Sequence, residues 1–473
     1  MITCDFSQKG KLSLCEYLEN TIRDKILSGE LKADEKLPSK RELAEHLGVS
    51  VITVQNAYAN LISEGYIYSI EKRGFFVTAL PEQKSDSKKL FLNDKQKELK
   101  EHNSKIEILC DLTSNSVNYE TFPFSTWNKI SRKVLNSPQA ELLKRQNVQG
   151  AEVLRSSIAE HLRNFRGFDI DPKQIVVGAG TEILYSYITK LLGNKTIFAV
   201  ENPGYKKISL ILEMNGAKVK PVNIDENGII ISELNKSKAN AVHVTPNHHF
   251  PSGIVMPVKR RIELLSWADK NENRYIIEDD FDSEFRFQGK PVSPLFCRAA
   301  KQNVIYINTF SKTLSPSFRI SYMVLPEKLI KDFYSLLGFY SCTVSTFEQY
   351  TLSAFIKEGH FSKHISRMKN YYRNIRNDLI YKIEHSPLKE KTEILEKDSG
   401  LHFLLKVNTK LNDKKLKEAL LKKGSSVSIL SDYYFNSDNL NSDDKKTLVI
   451  NYSGLSKQQI LSTVNLLSEA LGS

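Results

Sequence analysis

The stretch from Pro38 to Tyr66, PSKRELAEHLGVSVITVQNAYANLISEGY, decides the architecture of the amino-terminal part of the chain. Ser39 is placed to cap a helix over residues 40–47, and Gly48 to end it. Ser50 can cap a second helix over 51–64, whose inward face would carry Val54, Ala57, Tyr58 and Leu61. Two short helices separated by three residues form a helix-turn-helix.

The flanking segments extend this unit. Apolar residues recur at helical spacing over 12–27, and Ser28-Gly29 then supplies a stop. The alternating segment 66–77 is interrupted by Glu71-Lys72-Arg73-Gly74, which predicts a two-stranded wing with basic residues at its tip. Such a wing can reach a groove beside the one occupied by a recognition helix.

Charge alone supports nucleic-acid binding only weakly. The chain has 473 residues and a formal net charge of +12, but residues 1–80 contain ten Lys and Arg against eleven Asp and Glu. Helix-turn-helix pairs also occur as plain structural elements, so the distribution of charge on one face must carry the argument.

Composition indicates a multidomain protein of the cytoplasm. The sequence contains no run of eighteen apolar residues that could cross a bilayer, and its first residues lack the apolar centre of a signal peptide. The five cysteines are scattered and odd in number, which favours free thiols over a metal site or disulfides. The sequence therefore predicts no membrane partner and no metal.

The sequence patterns divide the chain into three regions: the helix-turn-helix and wing over 1–80, which form the expected DNA-binding domain, a charged linker over 81–107, and a larger domain over 108–473. The linker is rich in Lys, Glu, Asp, Gln and Ser, and a helix over 94–102 is a further expectation. Beyond it, short apolar strands alternate with helical stretches, which predicts an α/β fold with a mainly parallel sheet. The expected strands are 174–177, 196–200, 241–245, 275–278 and 304–308.

Lys312 follows the last of these strands and has Thr309, Ser311 and Arg319 near it in the sequence. A lysine at this place can form a Schiff base with an aldehyde, while two hydroxyls and a guanidinium suit a phosphate. A surface lysine beside a loop is the alternative for the isolated Ser-Lys pair.

Two other strand ends carry matching chemistry. Gly178-Ala179-Gly180-Thr181 opens a helix whose free backbone N–H groups can bind an anion. Glu278-Asp279-Asp280 ends another strand, where a carboxylate could keep a pyridine nitrogen protonated. Taken singly, the first is also a common strand-to-helix connection and the second a common helix cap.

Together these motifs resemble the MocR/GabR-type regulators of the GntR family, and the resemblance covers nearly the whole chain in order. It is carried by the stretch 37–66 and, in the large domain, by Phe122-Pro123, Trp127, Gly150, Leu154-Arg155, Gly178 to Thr181, Asn202 to Tyr205, Thr245-Pro246, Pro251 to Gly253, Glu278 to Asp280 and Thr309 to Arg319. The resemblance implies a winged helix-turn-helix fused to a fold-type I aminotransferase-like domain with a smaller carboxyl-terminal α+β subdomain. It also implies pyridoxal 5'-phosphate as cofactor, a homodimer and double-stranded operator DNA as partner.

The resemblance assigns roles by position. Lys312 would carry the cofactor, Asp279 would pair with its ring nitrogen, and Tyr205 would stack on the ring. The phosphate would be held by Gly180, Thr181, Thr309, Ser311 and Arg319. Val51 stands where the family often has arginine, so we expect DNA contacts from Lys40, Arg41, Ser50, Thr53, Gln55, Asn56, Lys72 and Arg73.

Several departures weaken the expectation of efficient transamination. Phe281 replaces the family's usual tyrosine, and Phe250 replaces an asparagine that contacts the cofactor's ring oxygen, although His248 or His249 could substitute. Lys206-Lys207 stand where the relatives have an arginine, and residues 411–473 contain none.

The effector is therefore predicted to be an amino acid gripped differently, with Lys207 as a contact, or the cofactor itself. We expect a regulator whose operator binding responds to pyridoxal phosphate or its amino-acid adduct, possible settings being vitamin B6 or amino-acid metabolism. The alternatives are an active aminotransferase with an accessory DNA-binding domain, and a constitutive repressor whose large domain only dimerises.

Overall fold

The computed structural model describes residues 2–10, 12–80, 108–113, 117–136, 139–287, 289, 292–299, 303–398, 400–435 and 446–472. Contacts divide the chain into two units, Met1–Asn103 and Ser104–Ser473, and each is described here by itself. The predicted linker, including the helix expected over 94–102, lies outside the described residues.

The described part of the amino-terminal unit contains three α-helices and a small antiparallel sheet. The helices are α1 (Leu14–Leu27), α2 (Lys40–Leu47) and α3 (Val51–Ser63). The strands β1 (Lys36–Leu37), β2 (Ile67–Ile70) and β3 (Gly74–Val77) pair in the order β1-β3-β2. The helix-turn-helix and the wing predicted from the sequence are both present in this unit.

Local capping sets the helix boundaries. Helix α1 begins two residues later than the apolar spacing suggested, because the Ser13 hydroxyl accepts a hydrogen bond from the Glu16 amide at 3.2 Å. Ser39 and Ser50 cap α2 and α3 as expected. Gly48 ends α2 in the left-handed region at φ 65°, a conformation that a residue with a Cβ adopts at a cost.

The larger unit is built on a sheet that has eight strands in the described ranges. Its strands are β5 (Ile175–Gly178), β6 (Ile197–Asn202), β7 (Lys218–Asp225), β8 (Gly228–Ile229), β9 (Ala241–Val244), β10 (Tyr275–Asp279), β11 (Val304–Thr309) and β12 (Ser321–Val324). The order is β5-β12-β11-β10-β9-β6-β7-β8. The central run from β11 to β7 is parallel, whereas β12 and β8 pair antiparallel with their neighbours.

Helices cover both faces of this sheet. On β11, Tyr306 packs in a core with Leu154 and Phe355, while Ile305 and Ile307 pack in another with residues such as Leu184 and Phe333. The surrounding helices are α4 (Phe124–Leu135), α5 (Gln139–Leu143), α6 (Glu152–Arg166), α7 (Thr181–Leu192), α8 (Lys206–Met214), α9 (Ile231–Lys236), α10 (Val258–Asp269), α11 (Glu327–Leu337) and α12 (Thr346–Lys357). This arrangement confirms the predicted α/β class.

A smaller α+β subdomain follows along the chain. Helix α13 (His360–Glu384) leads into an antiparallel sheet of β13 (Thr392–Leu395), β14 (His402–Val407), β17 (Thr447–Asn451) and β16 (Ser428–Ile429), in that spatial order. The subdomain also contains α14 (Asp413–Lys422) and α15 (Gln459–Gly472), and β15 (Ser425–Ser426) pairs with β4 (Cys110–Asp111). Within the described ranges, every helix is too short or too polar to span a membrane.

Candidate functional site

The residues predicted to contact DNA lie on α2, α3 and the wing. Arg41, Gln55 and Asn56 have exposed side chains, as do Lys72 and Arg73 at the β2–β3 turn. Lys72 itself takes a positive φ of 59°, which turns the chain sharply at the tip. Exposed cations at a turn and amides on a helix are the groups that reach phosphates and base edges.

Three of the predicted DNA contacts are engaged within the protein. The Ser50 hydroxyl accepts from the Thr53 amide at 3.1 Å and lies 2.8 Å from the Thr53 hydroxyl, so both residues serve the start of α3. The Lys40 ammonium lies over the Phe75 ring at 5.3 Å. Phe75 belongs to β3, so this contact links α2 to the wing.

The structure adds two apolar side chains that the sequence reasoning did not assign to DNA. Val51 is 43% exposed and Ile52 69% exposed, both in the first turn of α3. The sequence could have pointed to them, because Val51 and Ile52 are apolar but do not belong to the inward apolar face of the helix. Aliphatic side chains in this position can contact thymine methyl groups.

In the larger unit, a cavity of about 230 Å³ opens at the carboxyl ends of the parallel strands. This is where ligands bind in sheets of this type. Except for Gly180, which lies next to it, every predicted cofactor residue lines the cavity, as does Lys207; these are Thr181, Tyr205, Asp279, Phe281, Thr309, Ser311, Lys312 and Arg319.

Lys312 enters the cavity from the loop after β11. Burial lowers the pKa of its ammonium to about 8, against the opposing influence of the Asp282 carboxylate. At mildly alkaline pH a substantial share of the amine is thus unprotonated. A neutral amine is the form that attacks an aldehyde.

Asp279, the last residue of β10, is buried and supplies a carboxylate to the cavity lining. Its Oδ2 accepts a hydrogen bond from the Tyr185 hydroxyl at 2.7 Å and lies 3.5 Å from His243 Nε2. Its Oδ1 is buried and has no hydrogen-bond partner in the described part of the chain. An unsatisfied buried carboxylate oxygen in a cavity wall is suited to a positively charged N–H donor.

The two acidic neighbours of Asp279 have structural roles. Glu278 accepts from the amides of Leu295 and Phe296, and burial raises its pKa to about 7. Asp280 forms a buried ion pair with Arg166 at 2.7 Å and accepts from the Asn247 amide and the Tyr306 hydroxyl. Of the three acids, only Asp279 lines the cavity.

The far end of the cavity has the groups of an anion cradle. Gly180 precedes α7 with φ 90°, and a Cβ there would stand 2.3 Å from Arg319 Nη2, so only glycine lets the guanidinium lie against this turn. The Thr309 hydroxyl donates to Ser311 Oγ at 2.9 Å. The Ser311 oxygen is the acceptor in that bond, so its own hydrogen can be donated to a phosphate oxygen.

Glu182 is the cradle residue that the sequence reasoning missed. Its carboxylate accepts from Arg319 Nη2 at 2.5 Å and from Lys207 Nζ at 2.6 Å. Lys207, predicted to contact the effector, is thus paired with a protein carboxylate. Nothing in the local pattern after Gly180 signals a carboxylate that joins two cations from other segments.

Aromatic rings close the remaining wall. Tyr205 precedes α8 and meets Phe250 edge-on at 5.8 Å, and Phe281 lies on the same lining. His248 and His249 are absent from the lining: their Nδ1 atoms face Asp282 Oδ2 at 2.7 Å and Ser252 Oγ at 2.6 Å. The expectation that one of these histidines replaces the missing contacts to the ring oxygen stays a prediction without support from the cavity wall.

The chemistry of this donor set fits pyridoxal 5'-phosphate. The cavity holds an amine for the aldehyde, a buried carboxylate oxygen in need of a cationic partner, an aromatic side chain, and a cradle of hydroxyls, backbone amides and a guanidinium. Among the described residues, no group of three or more His, Cys, Asp or Glu side chains is arranged to hold a metal ion.

Comparisons with known proteins agree with the description of the amino-terminal unit and with that of the larger unit. Residues 14–77 match the model of the GntR family of bacterial regulatory proteins, and residues 107–465 match that of aminotransferases of class I and II. The combination defines a helix-turn-helix transcription regulator with an aminotransferase-like domain, and the match supports pyridoxal 5'-phosphate as its cofactor.

The relatives narrow this class. The chain is 35% identical over 459 residues to the uncharacterized HTH-type transcriptional regulator YdeL of Bacillus subtilis, covering 97% of each. It is 30% identical to the probable rhizopine catabolism regulatory protein MocR of Rhizobium meliloti (96% of this chain, 92% of the relative) and 30% identical to the pyridoxine biosynthesis regulator PdxR of Corynebacterium glutamicum (89% of each). The chain belongs to the MocR-type regulators of the GntR family.

Solved structures agree on the fold of the larger unit. Kynurenine aminotransferase from Pyrococcus horikoshii, in complex with PMP, aligns with a TM-score of 0.68 at 22% identity, over 80% of this chain and 94% of that one. The multiple substrate aminotransferase from Thermococcus profundus gives the same TM-score at 23% identity, over 82% and 97%. At this level of identity, the likeness concerns the fold alone.

Proposed function

We propose that this protein regulates transcription in response to pyridoxal 5'-phosphate bound at Lys312. The observation that carries the proposal is the Asp279 carboxylate, which lines the same cavity as Lys312 and whose buried Oδ1 has no hydrogen-bond partner among the described residues. When bound, the cofactor supplies an aldehyde carbon for an amine and a cationic ring nitrogen for a carboxylate. Lys312 would hold the first and Asp279 the second.

The remaining residues of the cavity would fix the orientation of the cofactor. Tyr205 would cover one face of the ring. Thr181, Thr309, Ser311 and Arg319 would hold the phosphate, with the backbone beside Gly180. Phe281 offers no donor to the ring oxygen, so the electronic activation that a hydroxyl would give at that position is missing.

The charges in the cavity favour the cofactor itself as the effector. The Lys and Arg side chains on its lining are Lys207, Lys312 and Arg319. Lys207 and Arg319 both pair with Glu182, and Lys312 is the amine that would hold the cofactor. Within the described residues, the lining has no other arginine that could bind the carboxylate of an amino acid through two parallel hydrogen bonds, and no other lysine that could attract it.

On the DNA side, we infer that Lys40, Arg41, Lys72 and Arg73 neutralise phosphates and set the register. Gln55 and Asn56 would read base edges, and Ser50 and Thr53 would position the start of α3. A homodimer would present two such heads to a repeated operator. Because the partner is the bacterial operator, the place of action is the cytoplasm, at the nucleoid when DNA is bound.

The test is operator binding by the wild type and Lys312→Ala at increasing pyridoxal phosphate, measured by fluorescence anisotropy. Cofactor can shift the protein between two states only if it binds one of them better. We expect operator affinity to change with cofactor in the wild type and to stay constant in Lys312→Ala. Constant affinity of both proteins across cofactor saturation would refute the proposal.

A second candidate function is amino transfer, which the lowered pKa of Lys312 favours. It would be slow, because Phe281 offers no donor to the ring oxygen and Arg319, the arginine of the lining, is paired with Glu182. Conversion of a keto acid by an amino donor, followed chromatographically with the wild type and Lys312→Ala, would measure it directly.

A further inference from the structure

Glu182 joins the two cations at the anion end of the cavity. It lies in the first turn of α7, one residue after Thr181, and its two oxygens bind separate partners: Oε2 meets Arg319 at 2.5 Å and Oε1 meets Lys207 at 2.6 Å. All three side chains line the cavity. A protein carboxylate therefore already neutralises the charges that an incoming phosphate would use.

The Glu182 carboxylate remains ionised in the physiological range. Burial opposes ionisation, but the hydrogen bonds from Lys207 and Arg319 outweigh it and lower the pKa of Glu182 to about 2. The Glu182 side chain is 32% exposed, and the side chains of Lys207 and Arg319 are each about half exposed. The two ion pairs can therefore be opened without unfolding the helix. Half-exposed ion pairs of this kind contribute little to stability.

We propose that Glu182 is a built-in competitor for the phosphate group of the cofactor. A phosphate entering the cradle must either displace the carboxylate from Arg319 and Lys207 or accept a like charge beside it. Both outcomes weaken phosphate binding. Removing the charge at position 182 therefore strengthens it.

This inference rests on the proposed function and gives it a quantitative consequence. A sensor must release its ligand when the ligand becomes scarce, whereas an enzyme gains from holding its cofactor permanently. An internal carboxylate that opposes the phosphate raises the dissociation constant without altering the amine or the ring contacts. It thus sets the cofactor concentration to which the protein responds.

The experiment is calorimetric titration of the full chain with three probes: inorganic phosphate, pyridoxal 5'-phosphate, and pyridoxal, which lacks the phosphate. The variants are Glu182→Gln, which keeps the shape and removes the charge, and Glu182→Ala. The matched control is Glu358→Gln. Glu358 is 35% exposed and pairs with Lys133 at 2.6 Å, and it does not line the cavity.

We expect both Glu182 variants to bind inorganic phosphate and pyridoxal 5'-phosphate about tenfold more tightly than the wild type, with pyridoxal unchanged. Glu358→Gln should match the wild type for every probe. Equal or weaker phosphate binding by the Glu182 variants would overturn the proposal, and so would an equal gain for pyridoxal. An absence of phosphate binding in all proteins would overturn it as well.

The same proteins separate this inference from the proposed function. If Glu182→Gln tightens cofactor binding but operator affinity does not change with cofactor concentration, the competitor role stands and the regulatory proposal fails. If operator affinity responds to the cofactor at the same concentration in the wild type and Glu182→Gln, the regulatory proposal stands and the competitor role fails.

Discussion

The Tyr185 hydroxyl donates a 2.7 Å hydrogen bond to Oδ2 of Asp279, and both groups are buried. The bond crosses from α7 to the end of β10 and fixes the carboxylate so that Oδ1 is left for another donor. The buried hydroxyl and the carboxylate satisfy each other, and burial together with Asp279 raises the pKa of Tyr185 well above its usual range. Tyr185 is therefore the residue that orients the acid of the cavity.

Tyr185→Phe tests this relationship through stability. The substitution keeps the ring and removes a donor to a buried carboxylate, so the free energy of unfolding should fall by about 1.5–3 kcal/mol. Tyr187→Phe is the matched control, because the Tyr187 hydroxyl, on the same helix, is buried and has no hydrogen-bond partner within the residues that the structure describes. Urea denaturation of the full chain measures both, and an equal loss in the two variants would contradict the role of Tyr185.

Lys312 predicts a specific pH dependence. Because burial lowers the pKa of its ammonium to about 8, the neutral amine becomes dominant above that pH. The rate at which pyridoxal phosphate acquires a protein-bound absorbance band should rise through pH 8 and then level off. Lys312→Ala should show no such band. A rate still rising steeply near pH 10 would mean that the amine has its ordinary pKa.

Local patterns predicted the elements of the fold because their causes are local. Ser39, Gly48 and Ser50 define α2 and α3 through caps within three residues of themselves. Strand ends follow from short apolar runs, and parallel strands bring their carboxyl ends to one edge. Lys312 and Asp279 could therefore be assigned to one site without coordinates.

The contacts that tune the site join distant parts of the chain. Glu182 meets Arg319 across 137 positions, and Arg166 meets Asp280 across more than a hundred. A helical turn shows which residues share a face but not which residue of another segment comes within 3 Å. The sequence for this reason assigned all three acids of Glu278-Asp279-Asp280 to one motif, whereas the structure gives each a different partner.

The Arg166–Asp280 ion pair predicts a large stability effect. Both side chains are almost completely buried, so Arg166→Met leaves a buried carboxylate uncompensated and should cost about 3–5 kcal/mol. Arg163→Met, in the same helix, breaks an exposed pair with Asp169 and should cost at most about 1 kcal/mol. Urea titrations of both variants provide the comparison, and similar midpoints would rule out a structural role for the buried pair.

The basic side chains of the wing are expected to contribute to DNA affinity in a way that does not depend on the DNA sequence. Arg73→Ala should weaken binding to specific and non-specific DNA to a similar extent and reduce the salt slope of the logarithmic affinity by about 1. Gln55→Ala should instead reduce discrimination between operator and random DNA. Lys25→Gln, on α1 and paired with Glu30, serves as the control for loss of a positive charge. An unchanged salt slope in Arg73→Ala would remove the wing from the interface.

The exposed side chain of Ile52 is expected to contact the methyl group of a thymine. Its side chain is 69% exposed in the first turn of α3, where burial gives no reason for an isoleucine. Contact with a thymine C5-methyl would account for it, and Ile52→Ala should then weaken operator binding while leaving non-specific affinity unchanged.

Replacing single thymines of the operator by uracil removes the methyl group alone. One such replacement should weaken the wild type several-fold and have no effect on Ile52→Ala, because the partner of the methyl is already absent. Leu27→Ala, at the end of α1, is the control for loss of an exposed aliphatic side chain. If every uracil operator weakens the wild type and Ile52→Ala equally, Ile52 does not read a thymine methyl.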